Sequence, residues 1–462
     1  MLKAFLNVWG VKELRTRLLF TALIIVLVRF ASNIPCPGVD PAALESYMSK
    51  LADNSGSGGL MSMIDLFSGG ALEHFALGAL GIMPYITASI IVQLLVPVIP
   101  SLEKISRDGE NGRQKISQLT RYLTLVVCVI QGAMVAVAML TPDKIGLPAL
   151  APGEQLYVGA KWLFVPVTIL VLTCTTMVFT WLGEQVTERG IGNGVSLIIT
   201  INIVSRLPHA VLELIDMAIK GSTPAGTSFR PVQLLLLLLV FCVVTAATIL
   251  LSQGYRRVPI QMVRKTVGKQ MMGGATYMPL KVNFANVMPI IFAGAILMIP
   301  DYLFRALASR PDADRIWITL ATSFAHDGAG YMIAYGVLIL AFCFFWVANQ
   351  FNPLQIADNL KKEGAYIPGI SPGQPTADFL DTAMTRVTAG GAVFLLALAL
   401  FPMFLYNSFQ IPFIVAQFFG GTSLLIMVGV VLDTMSQLES HLTMRHYEGF
   451  LKSGRLLNRA GN

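Results

Sequence analysis

Long apolar runs follow one another along most of the chain and are separated by shorter polar segments. An apolar run of about 20 residues is long enough to cross a bilayer as an α-helix, and about ten spans are predicted on this criterion. They lie at residues 18–34, 76–98, 122–140, 162–182, 193–207, 232–252, 286–306, 330–351, 387–405 and 417–436. The alternating segments of about ten residues that are typical of a membrane β-barrel are not seen. The sequence therefore predicts an all-α polytopic membrane protein.

The second predicted span has an unusual pattern. Gly78, Gly81 and Pro84 lie inside it, and a short apolar stretch at 60–67 comes just before it. Glycine lets helix backbones approach closely, and proline permits a bend. We therefore expect the second helix to bend at Pro84.

Composition and charge support a membrane protein. Hydrophobic residues make up 55% of the 462 residues and charged residues 13%, whereas soluble proteins carry about 25% charged residues. The first apolar run has no small-residue cleavage site, so no cleavable signal peptide is expected. If the N-terminus is cytoplasmic, most of the 33 lysines and arginines lie on the cytoplasmic side of the membrane. Because basic loops are retained inside, both termini are predicted to be cytoplasmic.

Candidate chemistry is sparse. The cysteines are Cys36, Cys128, Cys174, Cys242 and Cys343. No two of them have the spacing of a metal site or a redox pair, and motifs of zinc proteases, serine hydrolases and P-loop proteins are missing. The sequence therefore predicts no cofactor and no catalytic residues. The stretch GIGNG at 190–194 is interpreted as a turn before a short helix, with Asn193 as its N-cap.

The sequence lacks features that are typical of two other classes of membrane protein. An ion-coupled secondary transporter usually needs buried charges or broken helices at mid-membrane. The clearest ionisable group, Asp433, lies near the cytoplasmic end of the last span. An intramembrane enzyme needs a nucleophile and a base, and no such pair is identifiable. These observations argue against a small polar solute or an ion as the substrate.

Two segments between spans are too long to be simple connectors. Residues 253–281 contain six basic residues and no acidic one, and residues 352–386 are rich in turn residues and mixed in charge. A basic loop that only fixes membrane orientation is the simpler interpretation. Long loops are often functional, however, so a docking surface for an acidic partner is the alternative.

Several long motifs resemble one known family. They are GIMPYITASIIVQLL at 81–95, WLGEQVTERGIGNGVS at 181–196, MPLKVNFANVMPIIFA at 278–293, NPLQIADNLKKEGAYIPG at 352–369 and FGGTSLLI at 419–426. In this order they resemble the SecY family, which forms the protein-conducting channel of the Sec translocon in the bacterial plasma (inner) membrane. The resemblance runs from near residue 10 to the C-terminus.

The resemblance implies a clamshell of two halves with a movable plug. The implied parts are an N-terminal half at 1–207, a hinge at 208–231, a C-terminal half at 232–436 and a cytoplasmic tail at 437–462. A short plug helix at 60–71 would seal the outer side of the pore. Its apolar residues are Met61, Ile64, Leu66 and Phe67.

The resemblance also implies a narrow ring of aliphatic side chains in the pore. The matching positions are Ile82, Ile86, Val195, Ile199, Ile291 and Ile426. Aliphatic side chains exclude water and make no fixed hydrogen bonds, so a polypeptide can slide past while ions are held back. A lateral gate between spans 2–3 and 7–8 would release apolar segments into lipid. Thr87, Ser89 and Gln93 would place polar groups along this gate, where they could bond a neighbouring helix.

Partners are implied in the same way. Arg256 and Arg257 match the paired arginines with which the family holds the ribosome or the SecA motor ATPase, and Lys361 and Lys362 lie in the second long loop. SecE and SecG are the implied partner subunits. Signal peptides, nascent membrane proteins and membrane lipids would meet the gate. Ser371 stands where the family typically has arginine, so a role in SecA coupling is not transferred to it.

Overall fold

The computed structural model describes residues 12–44, 46–47, 68–141, 156–158, 160–221, 231–262, 265–267, 270–272, 275–308, 314–324, 328–409, 411 and 413–459. Helices dominate this part of the chain. The first group of helices is α1 (Lys12–Ala31), α2 (Met83–Val98), α3 (Pro100–Arg107), α4 (Gly109–Leu140), α5 (Lys161–Arg189), α6 (Gly194–Ser205), α7 (Leu207–Lys220) and α8 (Pro231–Gln253). The second group is α9 (Met288–Ala308), α10 (Arg315–Ser323), α11 (Ala329–Gln350), α12 (Pro353–Glu363), α13 (Gln374–Phe409), α14 (Phe413–Phe419) and α15 (Gly421–Arg459).

Each predicted span overlaps one of these helices. Within the described residues, 7 helical segments are long and apolar enough to cross a membrane, or 8 if α2 and α3 form one span. Helix α1, with arginines at 15, 17 and 29, is not among them, and α9 has a shorter apolar part at Met288–Leu297. The prediction of a polytopic α-helical membrane protein is confirmed, while the number of ten spans stays a prediction.

The second span begins later than predicted. Helix α2 starts at Met83, and residues 76–82 form successive turns. The preceding loop holds them, because the Leu77 N–H donates to the Ile34 carbonyl over 2.8 Å. Pro84 lies in the first turn of α2, where proline does not distort a helix. The expected bend at Pro84 is therefore wrong. The chain bends instead by 103° between α2 and α3.

A small sheet accompanies the helices and is missing from the prediction. Its strands are β1 (Tyr255–Met262), β2 (Lys265–Val267), β3 (Gln270–Met272), β4 (Ala275–Lys281) and β5 (Ala365–Tyr366). Strands β4, β1 and β5 pair in that order, antiparallel throughout, and β2 pairs with β3. Val258 and Ile260 are buried between exposed neighbours, as in a strand with one covered face. Strand pairing thus joins the long loops 253–281 and 352–386.

Contacts divide the chain into two compact units. One consists of Met1–Leu212 with Ile426–Asn462, and the other of Glu213–Leu425. The boundary after Leu212 lies inside the predicted hinge, whereas most of α15 groups with the first unit. The clamshell halves implied by the resemblance stay a prediction.

Each unit has an apolar core of its own. In the first unit, Phe75, Met139 and Phe164 belong to one buried cluster. In the second, Ile339 of α11 and Leu395 of α13 belong to another. The second cluster includes residues of α9, the helix that carries the predicted ring residue Ile291.

Candidate functional site

The first two predicted ring residues lie at the start of α2. Ile82 is the N-cap residue, and the Ile86 N–H donates to the Ile82 carbonyl over 3.2 Å. Their side chains are 1% and 6% exposed. Being one helical turn apart, they lie on the same side of α2.

The next two ring residues lie on α6, directly after the segment Gly190–Gly194, which we call the glycine turn. Asn193 Oδ1 accepts a hydrogen bond from the Ser196 N–H over 3.2 Å, so the predicted N-cap is confirmed. Val195 is half-buried and Ile199 is buried. Their spacing of four residues places them on one face of α6.

The glycine turn packs closely against α5. A Cβ added at Gly194 would lie 1.9 Å from the carbonyl oxygen of Gly183, so only glycine fits there. Gly192 has a φ of +87°, a left-handed conformation that favours glycine. The Thr187 hydroxyl accepts the Gly194 N–H over 2.9 Å. These contacts fix the position at which α6 begins.

Two distant helices also bind the glycine turn. Thr21 Oγ1 on α1 accepts the Ile191 N–H over 3.3 Å, and Gln437 Oε1 on α15 accepts the Gly192 N–H over 3.0 Å. The Ile191 side chain is buried in a small apolar cluster with residues of both helices. The sequence prediction missed Thr21 and Gln437, because their partners are 170 and 245 residues away and no local pattern marks such contacts.

The remaining ring residues fall in different units. Ile426 is 4% exposed and lies near the start of α15, in the first unit with the four residues above. Ile291 is partly buried on α9, in the second unit. Its neighbour Phe292 stacks on Phe342 of α11, with 5.3 Å between ring centroids. All six positions are at least partly buried, and their assignment to a pore ring stays a prediction.

The predicted plug residues Met61, Ile64, Leu66 and Phe67 lie outside the described residues. The chain that follows them is firmly bound. Arg29 Nη1 donates to the Gly69 carbonyl over 3.0 Å, and the Arg206 guanidinium pairs with the Glu73 carboxylate at 2.6 Å. The Arg206 side chain is 9% exposed, so the pair is partly shielded from water. The segment after the predicted plug is therefore anchored to α1 and to the junction of α6 and α7.

The predicted gate residues bond within their own helix. Thr87 Oγ1 donates to the Met83 carbonyl over 3.1 Å, and Gln93 Nε2 donates to Ser89 Oγ over 3.0 Å. All three predicted residues are partly buried. These bonds lie inside α2, and the gate assignment stays a prediction.

Strands β1, β4 and β5 together with α12 form what we call the sheet platform. Arg256 and Arg257 are exposed on β1. The Arg257 guanidinium lies 5.3 Å from the ring centroid of Tyr255 and donates to its hydroxyl over 3.1 Å. The Tyr366 hydroxyl on β5 donates to Gln261 Oε1 on β1 over 3.0 Å. The arginines thus stand on paired strands rather than on a free loop.

Helix α12 adds two further basic residues to the sheet platform. Asn352 Oδ1 accepts the Gln355 N–H over 3.1 Å and caps the helix, which ends in a left-handed Gly364. Lys361 and Lys362 are exposed in the last turn, where cations stabilise the helix dipole. The four predicted partner-binding residues therefore belong to one unit of sheet and helix.

Ser371, the departure from the family pattern, follows β5 and is exposed. Its carbonyl accepts the Thr376 hydroxyl over 2.9 Å, a bond that involves only its backbone. A larger side chain can therefore replace the serine without disturbing this contact.

Metal-binding and thiol chemistry have little support in the described part of the chain. No group of three or more His, Cys, Asp or Glu residues is placed there to hold a metal ion. Burial raises the pKa of the Cys36 thiol to about 11, so this thiol is protonated at neutral pH.

Known proteins resemble the chain along nearly its whole length. The SecY family model matches residues 76–435. "Protein translocase subunit SecY" of Chlamydia trachomatis is 39% identical over 456 residues, which cover 97% of this chain and 98% of that protein. The Escherichia coli K12 protein of the same name is 39% identical over 452 residues, covering 97% and 96%.

Solved structures with the same fold were also found. One, described as "The structure of a protein conducting channel", has a TM-score of 0.58 and 18% identity and covers 92% of this chain and 91% of its own. Another, described as "Sec61 in the Canine ribosome-channel complex from the endoplasmic reticulum", has a TM-score of 0.54 and 17% identity with the same coverage. From the family match and the full-length relatives together, we conclude that this chain belongs to the SecY family.

Proposed function

We propose that this chain is the channel subunit of a Sec protein translocase. It passes unfolded polypeptides across the membrane and releases apolar segments into the lipid. Membership of the SecY family over nearly the full length is the observation that carries this proposal. The same comparisons support a channel and give no support to an ion-coupled secondary transporter.

The ring residues suit the narrowest part of such a channel. All six are aliphatic and at least partly buried, and they lie on helices α6, α9 and α15 and at the start of α2. Aliphatic side chains present no hydrogen-bonding groups to a passing chain, so any sequence can slide through. Without a substrate they exclude water and so limit ion leakage.

The sheet platform suits a docking site for the partners that drive transport. Its exposed arginines and lysines are fixed by strand pairing and by a capped helix. A ribosome offers phosphates and a motor ATPase offers carboxylates, and both bind arginine well. One solved structure of this fold is a ribosome-bound channel complex. Ribosomes and SecA are therefore the proposed partners here.

The remaining parts of the proposal follow the family. SecE and SecG would complete the complex, in a bacterial inner membrane with both termini of this chain cytoplasmic. The chain itself would be passive, with energy supplied by SecA or by the ribosome. Signal peptides would open the gate by binding the open state more tightly than the closed one.

Preprotein import into vesicles tests the function. The full chain, purified with the subunits that remain bound to it, would be reconstituted with SecA, ATP and a preprotein. We expect protease-protected preprotein only in vesicles that contain the chain. Equal protection in vesicles without the chain, or none in either, would contradict the proposal.

A further inference from the structure

Successive backbone N–H groups of the glycine turn donate hydrogen bonds to different helices of the first unit. The Gly190 N–H donates to the Val186 carbonyl over 2.8 Å. The next N–H groups go to Thr21 of α1 and Gln437 of α15. Buried backbone N–H groups need partners, so these two side chains are part of what fixes the turn.

Thr21 is the buried member of this pair. Its side chain accepts the Ile191 N–H and donates to the Arg17 carbonyl over 2.9 Å, so both of its hydrogen-bonding roles are occupied. The residue is 7% exposed. Water is therefore poorly placed to replace it.

Gln437 is the exposed member, and α15 holds its amide in place. Its Nε2 donates to Asp433 Oδ2 over 3.3 Å, which leaves Oε1 directed at the Gly192 N–H. Residue Ile426 lies eleven positions earlier on the same helix. Eleven residues make about three helical turns, so Ile426 and Gln437 lie on one face of α15. One helix face thus carries both a predicted ring residue and a contact to the glycine turn.

The other side of the turn leads directly into α6. Val195 is the second residue of that helix and Ile199 follows one turn later. Val195 packs closely against α5 at Gly183. A Cβ atom added at Gly183 would lie only 3.3 Å from Val195 Cγ2. A shift of the start of α6 toward α5 would therefore press Val195 against that helix.

We propose that Thr21 and Gln437 are positioning residues for the ring. By holding the glycine turn, they set the positions of Val195 and Ile199 relative to Ile426. This inference rests on the proposed function, in which these three residues form part of the ring.

Substrate-free ion leak through vesicles containing the full complex measures the state of the ring. Thr21→Val has the same shape as threonine but cannot accept the Ile191 N–H. We expect it to raise the leak roughly fivefold or more, because a buried N–H loses its partner. Gln437→Leu should raise the leak less, roughly twofold, because water can reach that site. Thr21→Ser, which keeps the hydroxyl, should restore the wild-type leak.

Thr16→Val is the matched control. Thr16 lies on the same helix, is exposed, and makes only the corresponding bond to the Lys12 carbonyl. The ion leak of the Thr16→Val variant should equal that of the wild type. Ile199→Asn serves as the direct test of the ring and should leak strongly.

The outcomes separate the inference from the proposed function. If Ile199→Asn leaks but Thr21→Val and Gln437→Leu do not, the positioning inference is overturned and the ring stands. If Ile199→Asn does not leak, the ring assignment itself fails. A lower thermal unfolding temperature of Thr21→Val with an unchanged leak shows a purely structural role and also overturns the inference. If Thr21→Val does not fold, Gln437→Leu decides, since an exposed position tolerates the change.

Discussion

The glycine turn and the sheet platform are both connections between helices, yet they are built in opposite ways. In the glycine turn the backbone is bound by side chains from other helices, and Gly194 leaves no space beside Gly183. In the sheet platform the backbone is bound by strand pairing, and the charged side chains of Arg256 and Arg257 are exposed. The contacts of the glycine turn therefore fix its backbone, whereas the sheet platform leaves charged side chains exposed for binding a partner.

Because of this difference, mutations in the glycine turn and mutations on the sheet platform should have different effects. Changes in the glycine turn should alter folding and ion leak in the absence of any partner. Changes on the sheet platform should leave both unaltered and should weaken the coupling to partners.

The largest effect is expected for Gly194→Ala. The added methyl group would collide with the Gly183 carbonyl, and overpacking of this kind costs about 3 kcal/mol. The yield of folded complex and its thermal unfolding temperature should both fall. Gly429→Ala on α15 is the control, since a Cβ there meets nothing within 4 Å. If both variants unfolded at the wild-type temperature, the close packing of the turn would be refuted.

A strong effect on leak is expected for Ile86→Asn and for Ile291→Asn. An amide in the ring would let water in and remove the barrier to ions. Planar-bilayer conductance of the purified complex measures this effect, with Ile86→Leu as an apolar control of similar volume. Wild-type conductance in both asparagine variants would count against the ring.

A moderate effect on partner binding is expected when Arg256 and Arg257 are both replaced by alanine. Loss of two contacts to phosphate or carboxylate groups should raise the Kd for ribosomes or SecA roughly tenfold at low salt, and less at high salt. The resting leak should not change. Arg315→Ala removes an exposed arginine of α10 and serves as the control. If the double variant bound both partners as tightly as the wild type, the sheet platform would not be the docking site.

The smallest effect is expected for Ser371→Arg. The site is exposed, so folding and insertion should be unchanged. A guanidinium can form two parallel bonds to a carboxylate, which a serine hydroxyl cannot. Exposed pairs are weak, so we expect a roughly two- to fivefold faster ATP-dependent import with a SecA from a relative that has arginine at this position. Import by wild type and variant would be compared with that SecA and with the cognate one. Equal rates in all four combinations would show that this position does not carry the coupling.

The sequence predicted the helices better than the connections between them. Apolar runs identify α4, α5 and α8 because a membrane span is long and its signal is local. The motif at 190–194 correctly predicted a turn with Asn193 as N-cap, again from local residues. The start of α2 was misplaced because residues 76–82 are held by a contact to Ile34, which no local pattern reveals.

The connections escaped prediction for a related reason. Val258 and Ile260 alternate with exposed residues, and this period of two was a visible sign of a strand. This strand lies in a basic loop, however, and β5, one of its two partners, is about a hundred residues further along. No local sequence pattern marks Thr21 or Gln437 as a contact to the glycine turn, because each is only one of several polar residues on a long helix.

Crosslinking to a translocating polypeptide tests whether polypeptides pass through the predicted ring. A preprotein with a single cysteine would be halted during import through channels that carry a cysteine at Ile86, Ile199 or Ile426. We predict disulfide crosslinks at all three ring positions, and none at Ile130, an exposed residue of α4 outside the predicted ring. Crosslinks of equal yield at Ile130, or none at the three ring positions while the preprotein is halted in the membrane, would contradict the claim that polypeptides pass through this ring.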